Sequence, residues 1–161
     1  MLTRMSSIAL AHASHPAPFN VNFYVVAATV IPVLIYPDVR EAVAWLTAAF
    51  GFVERLRIGE NHRSQLRVGD GAVIVAEPGG HHRPPTREAV AQYVMVRVPD
   101  ARSHCERARA HGAVILAEPA DYMYGERQYG AEDFAGHRWT FTETLADTDP
   151  QTWGGQYLNP D

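Results

Sequence analysis

The chain has 161 residues, a net charge of −4 and a single cysteine, Cys105. That length suits one domain with a real core, or two small units sharing one. Mild acidity with scattered arginines excludes a nucleic-acid surface, and one cysteine excludes an internal disulfide or a cysteine-rich zinc site. No run reaches the roughly 18 apolar residues of a membrane helix, so no membrane partner is expected and a reducing, cytoplasmic setting fits.

Residues 1–28 read as a leader, with strand-forming residues at 21–26. Residues 30–36 favour a strand, marked at its ends by Pro32 and Pro37. Asp38 is placed to cap a helix whose apolar residues Val39, Ala42, Val43, Leu46, Ala49 and Phe50 recur at helical spacing, and Gly51 stands where such a helix stops. Leu56 and Ile58 alternate with Arg55 and Arg57, and Leu66 and Val68 alternate with Gln65 and Arg67. This is the period of two half-buried strands turning at Asn61. Asp70 and Gly71 supply the next turn, and residues 72–76 make a short, continuously apolar strand.

Residues 78–92, which begin rich in Gly, His and Pro, read as a linker. The adjacent His81 and His82 suit a solvated loop pair better than a metal site, because neighbouring side chains seldom converge on one ion. Residues 93–98 alternate as a strand. Asp100 then caps a helix with Ala101, His104, Cys105 and Ala108 on its apolar face, Gly112 ends it, and residues 114–117 resume a strand. Residues 124–141 read as strand, turn and strand, because Asp133 can bond its own backbone and Gly136 supplies positive φ. Residues 145–161 form a tail carrying Trp153 and Tyr157.

Pro37-Asp38 falls on Pro99-Asp100 at an offset of 62, Gly51 on Gly112 at 61, and Asp70-Gly71 near Ala135-Gly136 at 65. Agreement at a cap, a helix stop and a turn implies duplication of a βαβββ unit, at 29–77 and 93–144.

These tandem units resemble the vicinal oxygen chelate superfamily, in its glyoxalase/bleomycin-resistance-like branch. The likeness is carried by Ile31-Pro-Val-Leu-Ile-Tyr-Pro-Asp38, Ala49-Phe50-Gly51-Phe52, Arg67-Val-Gly-Asp-Gly71, Tyr124-Gly-Glu-Arg127 and Asp133-Phe-Ala-Gly-His-Arg-Trp139, and it covers residues 29–143. It implies an α+β fold, two βαβββ modules forming a curved mixed sheet around a concave cleft, with a small-molecule ligand and a homodimer. The superfamily includes glyoxalase I, extradiol dioxygenases, fosfomycin-resistance enzymes and bleomycin-resistance proteins, so activity does not follow from fold.

In catalytic members of that superfamily each unit lends a divalent metal two ligands, from its first and last strands. Counting to those positions gives Ile31 and Val75 in one unit and Tyr93 and Thr140 in the other. None is an ordinary ligand, so the expectation is a binding protein with neither metal nor other cofactor. The alternative is a glyoxalase- or dioxygenase-like lyase or isomerase. It would use zinc, nickel, manganese or iron on displaced donors such as Glu77, or acid–base chemistry from His137, Glu77 or Tyr93.

Alternation puts Tyr93, Met95 and Arg97 on the face opposite Val94, Val96 and Val98, and Arg138, Thr140 and Thr142 opposite Trp139 and Phe141. Ile31, Val33, Ile35, Val73, Val75 and Glu77 are expected on the matching wall of the first unit. The expected site is a bowl lined by Tyr93, Met95, Glu77 and Thr140. Arg127 and Tyr129 are its handles for an anionic or polar-headed aromatic molecule. Structural roles stand beside these: Arg127 paired with a carboxylate, Tyr129 in the core, His137 holding the turn.

Overall fold

A computed structural model describes residues 28–158, and the strand expected at 21–26 lies outside the described residues. The first unit opens with β1 (Val33–Ile35) and α1 (Val39–Phe50). The Asp38 side chain accepts from the Glu41 N–H, and Asn61, from a turn 21 to 22 residues further on, accepts from the N–H groups of Val39 and Arg40. Three N–H groups that a helix start leaves unpaired are thereby satisfied. At the far end Gly51 takes φ 75°, a left-handed conformation, and its N–H bonds the carbonyls of Leu46 and Thr47. Glycine adopts this conformation without steric cost. Three strands follow: β2 (Val53–Ile58), β3 (Arg63–Val68) and β4 (Gly71–Ala76). They form an antiparallel meander, and β1 returns parallel to β4, giving the order β1-β4-β3-β2.

The second unit repeats this plan with β5 (Tyr93–Arg97), α2 (Ala101–Ala110), β6 (Val114–Tyr122), β7 (Glu126–Glu132) and β8 (Arg138–Thr144). Its order is β5-β8-β7-β6, again with the first strand parallel to the last. The duplicated βαβββ architecture is therefore present in the fold, as two four-stranded mixed sheets with one helix each. A 3-10 turn at Pro150–Trp153 follows β8, and its Trp153 packs edge-on against Tyr124.

One core serves both units. Leu34, Tyr36, Leu66, Val73 and Val75 of the first sheet join Val96, Val98, Tyr129, Ala131, Trp139 and Phe141 of the second around the two helices. The seam is also polar, because α2 supplies donors to the last carbonyls of α1. His104 Nε2 donates to Phe50, Arg107 Nε to Ala48 and Arg107 Nη2 to Thr47, while Trp45 Nε1 donates in return to His111. The carbonyls of Ala48, Phe50 and His111 are ones a helix end leaves unpaired, and that of Thr47 takes Arg107 beside the Gly51 N–H. With one face of each sheet committed to this core, the other face of each looks outward.

β4 corrects one expectation. Val73 and Val75, expected on the cleft wall, lie in the core, and Ala72, Ile74 and Ala76 take the opposite face, where the two alanines are themselves covered. A strand that is apolar at every position carries no parity signal, so only its partners fix its orientation.

Candidate ligand-binding faces

On the second sheet the register pairs Tyr93 with Arg138, Met95 with Thr140 and Arg97 with Thr142. The alternate residues Val96, Trp139 and Phe141 are buried, so the paired ones face outward together. Tyr93 and Met95 are 60% and 50% exposed, far more than an aromatic ring and a thioether leave to water when their only task is packing. Across β8, the outward positions of β7 are Glu126, Gln128, Gly130 and Glu132. They build a polar chain: Tyr124 donates to Gln128, Gln128 to Thr142, Thr142 to Glu126, and Arg97 binds Glu126 at 2.8 Å. Burial alone would raise the Glu126 pKa, but the hydrogen bonds of Thr142, Arg97 and Thr144 outweigh it and hold the carboxyl below its ordinary range. Arg138 is likewise engaged, with Glu132 at 2.9 Å. Both arginines of this face are therefore neutralised.

On the first sheet, Ser64 and Leu66 turn toward the core side, which leaves Arg63, Gln65 and Arg67 on the opposite face, with Gln65 itself covered by its neighbours. A bulge between Glu54 and Leu56 breaks the alternation of β2. Glu54 stays on the helix side, bound by Arg40, Arg57 and Ser64, and its carboxyl is held down at a pKa of about 2, chiefly by the Arg57 hydrogen bonds. Arg55 faces outward, donating to Gln65 at 3.1 Å.

Of the residues expected to form the bowl, Tyr93, Met95 and Thr140 come together, and Arg127, Tyr129 and Glu77 do not join them. Tyr129 is 1% exposed, stacks on Phe141 and donates to His104 Nδ1 at 2.6 Å. Arg127 shares its face and is held by both carboxylate oxygens of Asp121, at 2.6 and 2.9 Å. β7 is polar at both parities near Arg127, so its sequence does not show which side faces the core. Glu77 lies past the end of β4 and pairs with His62 at 2.6 Å. His137 Nε2 donates to the Ile35 carbonyl at 2.8 Å and its ring packs 4.4 Å from that of Tyr36, which joins the two units. His137 and Tyr93 do line a common recess of about 540 Å³, between the linker and strands β1 and β5, which also takes in His81, His82 and Arg138.

The donor set can be tested against the metal that such folds often hold. The outward positions of the first and last strands are Val33, Ile35, Ala72, Ile74 and Ala76 in one unit and Tyr93, Met95, Arg97, Arg138, Thr140 and Thr142 in the other. None is a carboxylate or an imidazole, and no group of three or more His, Cys, Asp or Glu among the described residues could hold an ion. These residues do not fit a transition metal.

The sequence model of the Glyoxalase/Bleomycin resistance protein/Dioxygenase superfamily matches residues 25–141. Among solved structures, TioX from Micromonospora sp. ML1 is 34% identical, with a TM-score of 0.62 over 73% of this chain and 99% of that one. A glyoxalase/bleomycin resistance protein/dioxygenase from Nocardioides is 20% identical, with a TM-score of 0.58 over 81% of this chain and 89% of that one. The genomically encoded fosfomycin resistance protein FosX from Listeria monocytogenes is 15% identical, with a TM-score of 0.57 over 73% and 90%. The last two likenesses speak to the fold. No curated protein matches the sequence.

Proposed function

Because this chain belongs to the glyoxalase/bleomycin resistance protein/dioxygenase superfamily, we propose that it binds a small organic molecule without a metal, on the outward face of the second sheet. The observation that carries this reading is the pair Tyr93 and Met95, exposed side by side where catalytic relatives would place metal-ligand strands. Tyr93 offers a ring to stack on and Met95 an adaptable thioether, with Thr140 and Gln128 as polar contacts. With no carboxylate or imidazole at the outward positions of those strands, nothing on that face recruits a Lewis acid.

The binder works as a homodimer in this reading. Val33, Val53, Tyr93, Met95, Val114, Leu116 and Tyr122 are all between 43% and 60% exposed, more apolar outward surface than a lone chain usually leaves bare. β1, β2, β5 and β6 are edge strands. A second copy laying its first sheet over the second sheet of its partner would cover the surface and enclose the ligand. The single, buried cysteine suits a cytoplasmic setting.

The test is a thermal-shift screen of aromatic compounds, then calorimetric titration of hits into wild type, Tyr93→Ala and Met95→Ala, with metal analysis of protein purified without chelator. Saturable binding weakened about tenfold in Tyr93→Ala is expected, roughly the 1.4 kcal/mol of a lost stacking contact. A near-stoichiometric transition metal, or turnover of a bound compound, would overturn the reading.

A further inference from the structure

We propose that Arg55, Arg63 and Arg67 on the outward face of the first sheet form an anion subsite, so that the ligand is an organic anion with an apolar body. This rests on the binding reading above and adds the chemical class of what is bound.

The placement follows from register. Arg67 sits between Val53 and Ala72, Gln65 between Leu56 and Ile74, and Arg63 between Ile58 and Ala76. The bulge at Glu54 adds Arg55, tied to Gln65. Three guanidinium groups thus stand on two neighbouring strands, on a sheet face whose other members apart from Gln65 are apolar.

Two carboxylates of the unit are occupied by other cations, Glu54 with Arg40 and Arg57 and Glu77 with His62, and the turn carboxylates Glu60 and Asp70 make no ion pair with the three arginines. Among the described residues, none of the three arginines has an ion-pair partner, and Arg63 Nε is closed off from solvent with no hydrogen-bond partner at all. Arg55 and Arg67 line a recess of about 360 Å³ with Val53 and Glu54, and the Glu54 carboxylate is already held there by Arg40, Arg57 and Ser64. Adjacent like charges over an apolar floor raise one another's energy, and one carboxylate, sulfonate or phosphate spanning two planar forks relieves it. On the second sheet Arg97 and Arg138 have carboxylate partners, so an anionic head is recognised on the first sheet and the apolar body can extend toward Tyr93 of a facing copy.

Two dyes of the same ring system test this on the full chain: 8-anilinonaphthalene-1-sulfonate and its uncharged analogue N-phenyl-1-naphthylamine. Fluorescence titration is expected to show the sulfonate binding about tenfold tighter, the scale of one charge-assisted contact. Arg63→Gln and Arg67→Gln should each remove most of that preference and leave the neutral dye unchanged, with circular dichroism confirming the fold. Equal affinity for both dyes, or full sulfonate preference in both variants, overturns the subsite while the binding reading survives, provided Tyr93→Ala still weakens both dyes. Variants that weaken self-association instead of sulfonate preference also overturn it, because the arginines would then serve carboxylates of a second copy. If neither dye binds, the binding reading fails and the subsite with it.

Discussion

The Tyr36 hydroxyl donates 2.6 Å to Asp133 Oδ2 across 97 residues of sequence, both side chains buried, and so ties the first unit to the second. Asp133 also takes the Trp139 indole N–H on Oδ2 and the N–H groups of Ala135 and His137 on Oδ1, each at 3.0 Å. Burial first, and then the neighbouring carboxylate, push the Tyr36 pKa well up, so the phenol stays a donor. Tyr36→Phe keeps the ring but strips one donor from a buried carboxylate, and should destabilise the fold by about 1–3 kcal/mol. Urea denaturation reads this directly. An unchanged midpoint would mean that the remaining three donors suffice.

His104 gives the fold a pH dependence with a definite sign. Its Nε2 must carry a proton to donate to the Phe50 carbonyl, which leaves Nδ1 to accept from Tyr129. Burial lowers its pKa and the Arg107 charge adds to this, against the opposing bond to Phe50. A folded-state pKa below the unfolded value of about 6.5 means that the unfolded chain binds the proton more readily. The contribution is complete above about pH 6.5 and is lost as pH falls through the folded pKa. His104→Gln, which still offers one donor and one acceptor, should flatten the acid limb relative to wild type. Identical pH slopes in the two proteins would remove His104 from the account.

Gly125 is predicted to be irreplaceable by alanine. It takes φ 81°, and a Cβ there would come within 2.2 Å of the Ala146 carbonyl oxygen. Its own carbonyl accepts from the N–H groups of Leu145 and Ala146, so the tail backbone cannot step aside without breaking those bonds. Left-handed strain of about 1–2 kcal/mol adds to the collision. Gly125→Ala should cost about 2 kcal/mol or more, read as the thermal midpoint. A loss of under a degree would show the tail to be loosely held.

How much of this was legible in the chain depended on whether a local signal existed. The caps at Asp38 and Asp100 and the stop at Gly51 are side-chain and glycine chemistry within four residues of the helix ends, and the structure places them as expected. The outward parity of Tyr93, Met95, Arg138, Thr140 and Thr142 was legible because their alternates are large and apolar. β4 is apolar at both parities and β7 polar at both around Arg127, so neither could be oriented alone. The bulge at Glu54 has no marker in sequence, and it turns Arg55 outward beside two arginines of the next strand. Tyr36 and Asp133 meet only because two halves of the chain close on one core.

The last prediction concerns Arg127, which sequence alone places among the ligand handles and the fold places on the rim of the helix side. Its guanidinium holds Asp121 and approaches Glu143 Oε2 at 3.7 Å, and that same oxygen accepts the Ala101 N–H at the start of α2. Arg127 therefore braces β6, β7 and the second helix, on the sheet face opposite Tyr93 and Met95. Arg127 and Glu143 are largely covered but Asp121 is half exposed. A pair that water reaches is weak and screened by salt, so Arg127→Ala should lower the melting temperature by a few degrees, less at high ionic strength. Dye affinity should stay unchanged, whereas Tyr93→Ala should reverse that pattern, losing affinity with little change in melting. Running both variants side by side separates a brace from a handle. If Arg127→Ala loses sulfonate-dye binding while melting as wild type does, the anionic head binds there, and the assignment to the first-sheet arginines falls.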